Sequence, residues 1–299
     1  MYRASRAMSA EAIHQRHVRT PDGLTIALDE GGPANAPTVV LLHGGGQTRH
    51  SWSGAMRALI ADGYRVLNFD ARGHGDSMWS PEGDYLLDHR ASDLRAVVGD
   101  THPLALVGAS LGGATALHAV AQGLDVDALV LVDITPHPEP AGIERITTFM
   151  RQHPDGFATL DEAVDAVASY NPHRPRPRDP GGLRRNLREH PDGRLRWHWD
   201  PKIIGTAPAV HHATVRASAD RIAADTPFPV MLIRGLSSDI VSDQSVAAFR
   251  ALLPWAEVAN VAGAGHMIAG DRNDAFNAAM LDFLARHLPV HAGHHSASA

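Results

Sequence analysis

Hydrophobic positions along this 299-residue chain fall into two alternating rhythms. Residues 38–42, 104–108, 128–133 and 228–234 are short apolar runs with little polar interruption. Such runs mark strands buried on both faces of a largely parallel sheet. Residues 64–70 and a short run at 257–261 read as further strands. Between them, 52–60, 86–99, 114–120, 243–252 and about 272–287 carry helical spacing. Ahead of all this, 14–20 and 24–30 flank Pro21-Asp22-Gly23, which predicts a hairpin. Strand–helix alternation implies right-handed crossovers and a doubly wound, mostly parallel α/β sheet.

The rhythm breaks between about 135 and 225, where helical pieces follow one another without buried strands. The pattern predicts helices at 141–152, 160–170 and 181–189, with the proline-rich 172–180 and the polar-aromatic 194–200 among them. Connections in such folds usually run ~2–6 residues, so a segment this long is expected to fold as an insert. The expected organisation is a core of 1–134 and 226–299, with 135–225 as a mainly helical cap after the sixth strand. Past residue 290 the chain is polar, and His287, His291, His294 and His295 read as a solvated tail rather than a metal tract.

Composition narrows the chemistry. A 44% hydrophobic and 20% charged chain is that of an ordinary globular protein. The formal net charge of −6 argues against nucleic acid as a partner. The absence of cysteine removes disulfides and thiolate catalysis. No window reaches the ~18 apolar residues of a membrane span, and the arginines near the start precede no apolar signal core. A cytoplasmic location is therefore expected, with no membrane partner.

The chemistry is expected at the carboxyl ends of the strands. After strand 104–108 comes Gly108-Ala109-Ser110-Leu111-Gly112, leading into a helix. A serine in so tight a strand-to-helix turn needs small neighbours, and the turn lifts its Oγ clear of the sheet. The helix start also favours negative charge there. After strand 38–42 comes His43-Gly44-Gly45-Gly46, able to aim a backbone N–H at a carbonyl oxygen beside Ser110. Gly45 and Leu111 are the expected oxyanion donors, while His43 reads as a structural histidine bonded to loop backbone. After strand 228–234 comes Asp239, the expected acid, with Asp133 as the alternative. Last comes Gly263-Ala264-Gly265-His266, a histidine suited to general-base work. Ser110, Asp239 and His266 follow the order serine, acid, histidine. In the insert, Trp197, Trp199, Tyr170, Phe149 and Met150 are candidates to line an apolar substrate pocket, or to form the insert's own core.

Together with the turn Asp70-Ala71-Arg72-Gly73-His74-Gly75-Asp76-Ser77, these motifs resemble, in order and spacing, the α/β-hydrolase fold superfamily. The likeness spans about 14–288 and is strongest to capped bacterial serine esterases and lactonases, often grouped with cofactor-free haloperoxidases. It implies a triad of Ser110, His266 and Asp239, oxyanion donors at Gly45 and Leu111, structural roles for Arg72 and His74, and no cofactor. Serine at 110 departs from the epoxide hydrolases and haloalkane dehalogenases of that superfamily, which carry aspartate there. The expected reaction is hydrolysis of a small-molecule carboxylic ester or lactone. Perhydrolysis, acyl transfer or C–C hydrolysis on the same triad, or ligand binding without turnover, are the alternatives.

Overall fold

The computed structural model describes residues 13–170, 181–205, 208–225, 227–266 and 273–290. Its centre is an eight-stranded sheet in the order β1-β2-β4-β3-β5-β6-β9-β10. β2 (Thr25–Gly31) pairs antiparallel with β1 (His14–Arg19) on one side and with β4 (Arg65–Phe69) on the other. β3 (Thr38–Leu42) is parallel to β4, and β3, β5 (Leu104–Ala109), β6 (Ala128–Val132), β9 (Val230–Gly235) and β10 (Glu257–Val261) continue the sheet in parallel.

Within the apolar strands, alternate residues serve opposite faces. Val40, Leu42, Leu104, Leu106, Leu129, Leu131 and Leu232 join one core with α2 (Leu87–Val98), α3 (Leu111–Ala121) and α8 (Asp243–Leu252). Val39, Leu41, Val107, Val130, Val132 and Ile233 join the other, against α1 (Ser53–Ala61) and α9 (Asn273–His287). Burial of these side chains on both faces is why the runs show no polar alternation.

The segment after β6 contains α4 (Pro140–Arg151), α5 (Leu160–Tyr170), the short α6 (Gly181–Arg184) and a two-stranded antiparallel sheet, β7 (Leu187–Glu189) with β8 (Leu195–Trp197). Phe157, Ala163, Leu187, Leu195, Trp197 and Trp199 form a core of their own. The expected helix at 181–189 therefore stops at Arg184. Pro191-Asp192-Gly193 turns the chain, with Gly193 at φ +76°, and Leu187 pairs with Trp197. α7 (Pro208–Ala224) differs too. It lies within the expected cap, yet Val215, Ala219 and Ile222 pack into the first sheet core. The expected proline-rich stretch 172–180, and His291, His294 and His295, lie outside the described residues.

Candidate active site

The turn at Ser110 has the geometry its glycines predict. Ser110 sits at φ 47°, ψ −114°, a left-handed conformation uncommon for a residue with a side chain. A Cβ on Gly108 would lie 2.6 Å from the Gly112 carbonyl, and one on Gly112 would lie 2.3 Å from the Leu42 carbonyl oxygen. Only bare backbone lets β5, the turn and α3 approach so closely. The Ser110 N–H is held by the Val132 carbonyl at 3.0 Å.

Around the following strand ends, two loops wrap a single carboxylate. Asp133, directly after β6, has no exposed surface and a positive φ of 50°. The Gly235 N–H donates to its Oδ1 at 3.2 Å, and the Ser238 hydroxyl donates to Oδ2. His266 Nδ1 donates to the same Oδ2 at 2.6 Å. The histidine loop reaches this point because Gly235 has no side chain. A Cβ there would lie 2.4 Å from the carbonyl oxygens of Ala264 and Gly265. The Ser237 N–H then ties the two loops together through the Ala264 carbonyl at 3.0 Å.

The expected pairing of Asp239 with His266 does not occur. Gly142 of α4 docks against residue 239, where a Cβ would lie only 2.3 Å from the Asp239 carbonyl oxygen. Arg145, further along α4, receives the Asp239 carboxylate at 3.2 Å. Asp239 thus faces a partly exposed arginine, and the alternative acid, Asp133, meets the histidine. β6 and β9 are neighbours, so both acids follow adjacent strand ends.

On the other side of Ser110, the glycine loop is pinned from behind. Its Gly44 N–H donates to the Gln47 side chain at 3.1 Å and its Gly46 N–H to His74 Nε2 at 3.2 Å. Among the described residues, Gly45 is the loop glycine whose N–H is left without a protein acceptor. Leu111, first residue of α3, likewise has no intrahelical acceptor for its N–H. His43 is structural as expected. Its Nδ1 donates to the Gly44 carbonyl at 2.8 Å, and its Nε2 accepts from the Ala71 N–H at 3.0 Å.

His198, after β8, was not singled out from sequence. Its Nδ1 accepts from the Gly75 N–H at 2.7 Å, and its Nε2 lies 3.4 Å from the Gly46 carbonyl oxygen, donating to it. Burial lowers the pKa of His43 and drives that of His74 well below the ordinary range. Burial takes His198 down to about 3. All three rings are therefore neutral, as acceptance of backbone N–H bonds requires. Beneath them Asp70 pairs with Arg49 and accepts the Arg49 and Asp76 N–H groups at 2.7 and 2.9 Å. Arg72 is clamped on Asp93 through two contacts of 2.6 Å.

One cavity of about 570 Å³ is lined by Ser110, His266, Gly45 and Leu111 from the core. Met150, Tyr170, Trp197 and Trp199 of the insert line it as well. Trp197 and Trp199 stack with centroids 4.8 Å apart, and both also belong to the insert's core. Among the described residues, no group of three or more His, Asp or Glu side chains could hold a metal ion. None of the described helices is long and apolar enough to cross a membrane. A buried carboxylate on Nδ1 leaves the other imidazole nitrogen to act as a base, the arrangement needed to activate a hydroxyl nucleophile.

The chain belongs to the alpha/beta hydrolase fold family, whose model matches residues 37–272. Over 268 residues it is 32% identical to Esterase Rv0045c of Mycobacterium tuberculosis, an alignment covering 85% of this chain and 84% of the relative. It is 28% identical over 274 residues to the sn-1-specific diacylglycerol lipase ABHD11 of Mus musculus, covering 85% and 83%. The crystal structure of an alpha/beta hydrolase from Novosphingobium aromaticivorans matches with a TM-score of 0.78 at 26% identity, covering 93% of this chain and 100% of that one.

Proposed function

We propose that the chain is a serine hydrolase of carboxylic esters, with Ser110 as nucleophile, His266 as base and Asp133 as the acid that orients it. The observation that carries this reading is the 2.6 Å bond from His266 Nδ1 to the buried Asp133, in a histidine that shares its cavity with Ser110. Ser110 Oγ attacks the ester carbonyl while His266 Nε2 takes its proton. The oxyanion is received by the N–H groups of Gly45 and Leu111, each such donor being worth ~10²–10³ in turnover. His266 then protonates the departing alcohol, and water, activated by the same nitrogen, releases the acid. The names of the relatives, an esterase and a diacylglycerol lipase, support ester chemistry. The insert roofs the reaction as a cap, its tryptophans, Tyr170 and Met150 contacting the apolar part of the substrate. A lactone would enter the same sequence of steps as a cyclic ester.

A panel of 4-nitrophenyl alkanoates and simple lactones tests the reading. Turnover of esters is expected, with Ser110→Ala reducing it at least 10³-fold. A fluorophosphonate should label Ser110 alone. Undiminished turnover in Ser110→Ala, or labelling at another serine, would sink it.

A further inference from the structure

Arg90 lies in the first turn of α2, 3% exposed, and it lines the same cavity as Ser110. Its Nε donates to the Tyr85 carbonyl at 3.1 Å and its Nη1 reaches the Arg72 carbonyl at 3.5 Å. The guanidinium also stands 5.6 Å from the centroid of the Tyr85 ring. None of these partners carries charge. Asp93, one turn further along α2, is held by Arg72 through both oxygens, Arg72 also pairs with Asp22, and Asp93 favours the charged Arg90 from a distance without bonding to it. Among the described residues no carboxylate bonds to Arg90, and none offers its Nη2 a hydrogen-bond acceptor.

The rest of the described cavity wall carries no carboxylate. Among the described lining residues, Arg90 alone is an aspartate, glutamate, lysine or arginine. The titratable neighbours are Tyr85, Tyr170, His211, His212 and His266. Burial, with help from Arg90, takes His211 down to about 4, and burial also lowers His212, so neither adds charge near neutrality. The described wall therefore presents one buried guanidinium, with Nη2 left over for a ligand, on an otherwise mostly apolar surface. A buried guanidinium whose only hydrogen-bond partners are neutral carbonyls gains most from a ligand that supplies a charged acceptor. One charge and two parallel oxygens suit a guanidinium fork. A phosphate dianion would leave a second charge unmatched.

We propose that the cavity receives an ester bearing a free carboxylate away from its scissile carbonyl, and that Arg90 binds that carboxylate. The proposal rests on Ser110 being the nucleophile of the reaction, and it concerns what Arg90 selects. A charge-assisted hydrogen bond in such a site corresponds to on the order of 10- to 100-fold in kcat/KM.

The test compares 4-nitrophenyl half-esters of C4 to C8 diacids with neutral 4-nitrophenyl alkanoates of matched length, each corrected for spontaneous hydrolysis. In the wild type at least one half-ester is expected to exceed its neutral counterpart by tenfold or more. Arg90→Gln should bring that ratio to about one or below, whatever its absolute rate, and Arg90→Lys should retain part of it. Binding of hexanoate and of hexanamide to Ser110→Ala, by calorimetry, reads the same preference without chemistry. A wild-type ratio at or below one at every length overturns the proposal. If no ester is turned over, the calorimetry decides. Tighter binding of hexanoate that Arg90→Gln removes would sustain the carboxylate site while the ester reading fails, and equal binding of the two probes would end both.

Discussion

Two groups of histidines flank Ser110, and the same side chain does opposite things in them. On one side His266 donates to a buried carboxylate, so a proton arriving on its ring meets a negative partner. On the other, His43, His74 and His198 accept backbone N–H groups from Ala71, Gly46 and Gly75. There a proton on the accepting nitrogen would break the bond and charge a buried site. What separates the proposed base from scaffold is the partner, a carboxylate in one case and the peptide N–H in the other.

The largest effect should come from the carboxylate. Asp133→Asn keeps the shape and removes the charge, and a fall of about 10³–10⁴ in kcat is expected, measured on a reactive ester in a variant whose circular dichroism is unchanged. Loss of less than tenfold would erase the distinction between the two groups.

Next comes pH. His198 titrates at about 3 when folded, against an ordinary value of 6.5. Between those values the unfolded chain binds more protons, so stability is full above about pH 6.5 and is lost as the pH falls toward 3. The loss approaches ~1.4 kcal/mol per pH unit for each such histidine within its window. Urea midpoints at pH 7, 6 and 5 should fall steeply, and His198→Gln should flatten that slope. An unchanged slope would remove His198 from the neutral cluster.

Smaller still is Ser238→Ala. It withdraws one hydroxyl from Asp133 and should lower kcat about tenfold or less, with KM nearly constant. Asp239→Asn should do least. Its partner Arg145 is about half exposed and such pairs contribute ~0–1 kcal/mol, so kcat should stay within about threefold. If Asp239→Asn proved the more damaging of the two aspartate variants, the assignment of the acid would reverse.

Much of this was legible before folding. The runs at 38–42, 104–108 and 128–133 announced buried parallel strands because both of their faces meet side chains. Gly108 and Gly112 announced the elbow because any Cβ there collides with backbone. The turn at Pro191-Asp192-Gly193 was also readable, since Pro21-Asp22-Gly23 had already predicted a hairpin correctly. Reading helical spacing through 181–189 overlooked a turn signal that was present.

Local pattern therefore determined the strand order of chemistry along the chain, the strained serine, the glycine loop and the glycine run ahead of His266. Those features depend on steric limits within a few residues. Which acid met the histidine, which histidines stayed neutral, and which arginine was left without a carboxylate bonded to it were decided only in three dimensions. Each depends on groups far apart in sequence: Gly142 against Asp239, His198 against Gly75, and Arg72 bonding both oxygens of Asp93. Electrostatic character belongs to the assembled neighbourhood, because burial and partners set the charge a side chain can carry.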